Sequence, residues 1–123
     1  TLDTFVLLTR TLAASTSEEL ILNNGSLADP NTAPVTFATL KAIGLAVTST
    51  AGSVRVGNAG TNPHALWFGA TTHTWDVFAG GPPLIGASDA GKVVDGTHCR
   101  VKVLNLDGAD PVTYQLLLAG VKA

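Results

Sequence analysis

Alternation with a period of two residues runs through this chain, and helical periodicity is nearly absent. In residues 97–105, THCRVKVLN, Cys99, Val101 and Val103 alternate with His98, Arg100 and Lys102. Successive side chains of an extended strand point to opposite faces, so one face of this segment is apolar and the other charged. In residues 111–121, PVTYQLLLAGV, Val112, Tyr114, Leu116 and Leu118 line one face in the same way. LDGADP lies between the two, and its Asp107-Gly108 pair predicts an antiparallel hairpin. Residues 3–12 and 18–23 read as strands, as do 53–57 with Val54 and Val56 inward. In 35–49, Ile43, Leu45 and Val47 share a strand face, and the one helical turn to be expected falls around 37–41. Residues 64–69 and 73–78 read as two more strands, and Val93-Val94 as a stub. Asn24-Gly25 opens a loop, NAGTNP is a turn, and GGPPLIGASDAG is a long irregular link.

About eight strands separated by turns predict an all-β chain, an antiparallel sandwich of jelly-roll type in one domain over 1–123. The long loops at 24–34 and 79–92 suit strands that cross between two sheets. TLAASTS after the first strand would let residues 1–17 serve as an N-terminal arm exchanged between copies.

Composition narrows the partners. Charged residues make up 13% of the chain, about half the usual share, so part of the surface should be apolar and suited to contact with another chain. The net charge is −2 and the 7 Lys and Arg are scattered, which argues against nucleic acid, whose phosphates need clustered bases. No apolar run is long enough to span a membrane. No secretion signal is visible, and Thr1 is compatible with a removed initiator Met. Cys99 is the only cysteine. It permits neither an internal disulfide nor a cysteine-based metal cluster, and its place on an apolar strand face predicts an inert core thiol.

The bulk of the chain is concentrated in HALWFGATTHTWDVFAGG, residues 64–81. Paired as a hairpin about Ala70-Thr71, this segment would place His64, Leu66, Phe68, His73, Trp75 and Val77 on a core face. Ala65, Trp67, Thr74 and Asp76 would face outward. A turn one residue longer would shift the pairing and exchange the faces. An outward Trp67 has three readings: an anchor between subunits, a platform for a sugar ring with Asp76 and Asn62 as hydroxyl partners, or partial cover beneath a loop. Leu117 breaks the alternation of its strand and should point outward as a second contact residue, together with the outward residues of the N-terminal strand.

Catalytic patterns are wanting. His64 and His73 could meet across the hairpin with Asp76 or His98 as a third metal ligand, but no His-x-His pair is present and no metal is expected. There is no Gly-x-Ser-x-Gly elbow. Glu18 and Glu19 are neighbours in a strand and point to opposite faces, whereas glycoside hydrolysis needs facing acids. The stretch Asn105–Asp110 lacks the terminal Glu and the spacing of a calcium loop. Asn24-Gly25-Ser26 is a glycosylation sequon, meaningful only in a secreted eukaryotic chain. No glycine pattern cradles a nucleotide. The chain is expected not to be an enzyme and to carry no cofactor.

The succession VTFATLKAIGLAV, SVRVGN, HALWFGA, VFAGGPPL and HCRVKVLN, over residues 35–105, resembles the small β-sandwich virion proteins of tailed phages and prophages. Those proteins decorate capsids or cap tails and fibres. The resemblance implies a non-enzymatic structural protein of the virion, associating with itself or with other virion proteins. The Trp- and His-rich segment departs from that pattern, where smaller residues would be expected. It leaves a carbohydrate-binding module, with a glycan as partner, as the alternative.

Overall fold

The computed structural model describes residues 2–123, so Thr1 lies outside it. Ten strands follow in order: β1 (Thr4–Leu12), β2 (Ser17–Ile21), β3 (Leu27–Ala28), β4 (Pro34–Val35), β5 (Phe37–Val47), β6 (Ser53–Gly57), β7 (Thr74–Phe78), β8 (Leu84–Val93), β9 (Arg100–Asn105) and β10 (Val112–Lys122). Eight of them build two antiparallel four-stranded sheets, in the orders β1-β10-β5-β8 and β2-β9-β6-β7, and β3 pairs with β4 alone. The fold is all-β, as the alternation predicts. Each inner face supplies one alternating set to a single core: Val6, Ile43, Leu45, Tyr114, Leu116 and Leu118 from the first sheet meet Leu20, Val54, Val56, Val77, Val101 and Val103 from the second. Cys99 is buried in the same cluster.

No helical turn forms at 37–41, which belongs to β5. Phe37, Leu40 and Ile43 are buried and three residues apart, a spacing that imitates a helix face. Register shifts against β10 leave Ala38 and Lys41 unpaired there. Each extra residue resets the alternation, so all three side chains reach the core from one strand.

Three further expectations are corrected. Residues 97–121 do not form a hairpin: β9 pairs with β2 and β6, while β10 pairs with β1 and β5 in the other sheet. Gly108 is not among the positive-φ glycines, which a type I′ hairpin turn would require. Instead Asp107 Oδ1 accepts the amides of Ala109 and Asp110 at 2.8 and 3.1 Å, and the chain crosses the sandwich. Residues 64–69 are not a strand, so the hairpin about Ala70-Thr71 is absent. Most of the link GGPPLIGASDAG belongs to β8, an edge strand of ten residues that runs on to Val93.

Asn105, 1% exposed, ties the far end of the sandwich together. Its Nδ2 donates to the carbonyls of Leu12, Ala13 and Asp110 at 3.2, 3.1 and 3.0 Å. Its Oδ1 accepts the Asp107 amide at 2.8 Å.

Candidate interaction surfaces

The aromatic segment closes the flank of the sandwich between the edge strands β7 and β8. Its path is set by His64, which is buried. Nδ1 accepts the Leu66 amide at 2.9 Å, and Nε2 lies 3.1 Å from the Val93 carbonyl, to which it donates. Burial holds this imidazole below the ordinary histidine range, so the neutral ring serves as a structural clamp with both nitrogens engaged. Leu66, at a φ of 53°, turns its side chain into the core. Trp67 then lies flat on β8. A Cβ built on Gly86 would fall 2.8 Å from its indole, so only glycine at position 86 leaves room for the ring.

The result is an open cleft of about 280 Å³ lined by Ile43, Trp67, Phe68, Trp75, Pro83 and Ile85. It sits at the lower end of small-molecule sites. Trp75 faces Val56 across the β6–β7 ladder, but it belongs to an edge strand and is 55% exposed. The structure thus corrects both tryptophan assignments. Trp67, expected outward beside Asp76, is partly buried against the core, with a buried Nε1 that finds no partner. Trp75, expected in the core, is the exposed ring. His73 is also exposed, its Nδ1 against the Phe68 carbonyl.

The outer faces of the two sheets differ in kind. On the sheet β2-β9-β6-β7, Asp76 stands opposite Arg55 in a bidentate pair at 2.8 and 3.0 Å. The guanidinium holds the Asp76 carboxyl below its ordinary range. Glu19 faces Lys102 and contacts Arg100 at 3.3 Å. This face is crossed by charges of both signs. Asp76 is therefore committed to Arg55 rather than set beside Trp67. Asn62 receives the amides of Cys99 and Arg100 on its main-chain carbonyl, and His98 pairs with Asp95 at 3.0 Å. Among the described residues no group of histidines and carboxylates has metal-site geometry.

The sheet β1-β10-β5-β8 is the opposite case. One row across it reads Leu7, Leu117, Gly44 and Ile85, the next Phe5, Ala119, Ala42 and Ala87, and a third Thr9, Gln115 and Ala46. None of these side chains is charged. Leu7, Ile85, Phe5 and Leu117 are 58%, 74%, 46% and 38% exposed. Gly44 and Ala46 leave a furrow between Leu7 and Leu117 on one side and Ile85 and Pro83 on the other. Leu117 lies on the surface, as its break in the alternation predicts. Phe5 and Leu7 are the outward residues of the N-terminal strand, whereas Ile85 lies in a segment read as a link and joins them only through the strand order.

No protein-family model matches this chain, and no curated protein matches it. No helix among the described residues is long and apolar enough to cross a membrane.

Proposed function

We propose that the protein is a non-enzymatic structural component of a phage-like particle. It acts by burying the uncharged outer face of the sheet β1-β10-β5-β8 against a second copy or another virion protein. The observation that carries this reading is the contrast between the two outer faces. The rows around Leu7 and Leu117 carry no charge and expose Phe5, Leu7, Leu117 and Ile85, with Lys41 and Asp89 only at their margin beside Ala42 and Ala87, whereas the other outer face is crossed by Arg55, Asp76, Glu19 and Lys102. A contiguous apolar face on a small domain marks a contact surface. The strand order, in which the chain passes repeatedly between the two sheets, supports reading the sandwich as a jelly roll, an architecture shared by viral capsid proteins, lectins and cupins.

The test is the mass of the protein in solution over a range of concentrations, by light scattering behind a sizing column. The expected result is a closed oligomer, and in Leu7→Lys/Leu117→Lys a drop in association of at least about tenfold, since each buried unpaired charge costs more than 1.4 kcal/mol. A monomer at every concentration, in both proteins, removes self-association. The exposed Trp75 favours a second reading, a sugar-binding module stacking a pyranose ring in the cleft. Glycan-array binding abolished by Trp75→Ala, with the oligomeric state unchanged, would decide for it.

A further inference from the structure

The two sheets have four edges, and three of them are blunted against further pairing. β2 is five residues long and carries Glu18 and Glu19. β7 is also five residues and carries Asp76. β8 follows Pro82-Pro83, contains Asp89 and Lys92, and breaks register against β5 between Leu40 and Ala42. Short strands, charges, prolines and bulges are the devices by which sheet edges avoid adding another strand. β1 is the least protected of the four, being long and free of proline and of any register shift. It runs for nine residues in unbroken register from Thr4↔Gly120 to Leu12↔Val112, without proline or glycine and with Arg10 as its one charge.

The free backbone groups of this edge can be assigned. Thr113 of β10 receives the Thr48 and Ser49 amides on its carbonyl at 2.9 and 3.3 Å, and its own amide donates to Ser49 Oγ at 3.2 Å. Its peptide groups therefore point toward the end of β5. Peptide direction alternates along a strand, so Tyr114, Leu116 and Leu118 point toward β1 and bond Arg10, Leu8 and Val6. The alternate residues of β1, Phe5, Leu7, Thr9 and Thr11, turn their N–H and C=O groups away from the sheet. They are the same residues whose side chains lie on the uncharged outer face.

We infer that β1 pairs antiparallel with β1 of a second copy, joining two sheets of four strands into one of eight. The inference rests on the assembly reading above and names its partner and geometry. A two-fold axis normal to the sheet keeps Phe5, Leu7 and Thr9 of both copies on one face. Centred on Leu8, it sets Thr4 of one copy opposite Leu12 of the other and Arg10 opposite Val6, so the two like charges do not face each other. The areas agree. With strands about 4.8 Å apart and a rise of about 3.3 Å, the stretch from Phe5 to Thr11 across four strands projects to roughly 440 Å². Two copies stacked face to face would bury about 900 Å² in total, at or below what a specific interface needs. The joined sheet instead offers about 900 Å² on one side, the share that one partner brings to an interface of standard size.

The experiment combines light scattering with amide hydrogen exchange by NMR, from about 10 μM to about 1 mM, the range in which contacts of this area form. The unaltered protein should form a two-copy species. The amides of Phe5, Leu7, Thr9 and Thr11 should exchange at least about tenfold more slowly at the high concentration. Thr9→Pro removes one outward N–H and leaves the β10 ladder intact, so it should remain folded and monomeric. Fast exchange of the four amides at every concentration overturns the pairing, and that readout needs no variant to fold. Persistence of the two-copy species in a folded Thr9→Pro, with its loss in Leu117→Lys, also overturns it. That second result means the copies stack by their faces, and it leaves the proposed function standing.

Discussion

Replacing Asn105 should cost more than replacing any single surface residue, and the cost can be worked from its bonds. Asn105→Leu keeps the approximate volume but removes an amide that serves three carbonyls and one N–H, two of those carbonyls ending β1 and entering the next link. The bond to the Leu12 carbonyl is buried. Stranding a buried acceptor costs about 1–3 kcal/mol, and each of the other bonds contributes about 0.5–1.5 kcal/mol net. Allowing for the partial exposure of those others, the loss should be about 3–5 kcal/mol. That is a fall of roughly 10–20 °C in Tm for a domain of this size. Asn105→Asp should be at least as damaging, because it points a carboxylate at three carbonyl oxygens. Urea unfolding followed by circular dichroism measures the loss as a change in midpoint at constant slope. A change below about 1 kcal/mol in Asn105→Leu would refute the reasoning, since water or neighbouring groups would then satisfy the same carbonyls.

Gly120→Ala should destabilise by more than about 3 kcal/mol, because its Cβ would fall 2.0 Å from the Thr39 carbonyl oxygen; insoluble or urea-sensitive protein is the expected outcome, and wild-type stability would contradict it. Gly86→Ala should cost about 1–3 kcal/mol by overpacking and, in a Trp75→Phe background, shift Trp67 emission to the red as the indole is lifted off β8. The Tyr114 hydroxyl is held well above its ordinary value of 10.0 by burial and then by its bond to Glu18. The folded state keeps the proton while the unfolded chain loses it. The stabilisation is therefore complete below pH 10 and falls as pH rises beyond it. Urea midpoints at pH 9 and pH 11 should diverge in the unaltered protein and diverge less in Tyr114→Phe.

Wherever a strand meets its neighbours with regular alternation, the sequence was enough to place it. Val101 and Val103 of β9, Tyr114, Leu116 and Leu118 of β10, and Val54 and Val56 of β6 all reach the core as their alternation predicts. What escaped was set by residues distant along the chain. β8 reads as a link because its inward position 86 is a glycine, yet the missing bulk is supplied by Trp67 from another segment. Residues 64–69 carry strand-like side chains, but His64 uses both ring nitrogens to fold the backbone into a turn. Trp75 has an inward orientation without burial, because an edge strand has no neighbour on its far side. On the candidate surface, Leu117 was legible from its own strand, whereas its row with Leu7 and Ile85 depends on sheet order, which local periodicity does not encode.

The unequal outer faces give each molecule a top and a bottom. A copy seated by its uncharged sheet must turn the sheet bearing Arg55, Asp76, Glu19 and Lys102 toward the solvent. Any layer built this way is therefore lined with apolar contacts beneath and crossed by ion pairs above, with Phe78 as the exposed apolar ring at its β7 edge. Attachment through the uncharged side should also resist moderate salt, which screens charges and leaves apolar burial intact, and sulfate should tighten it.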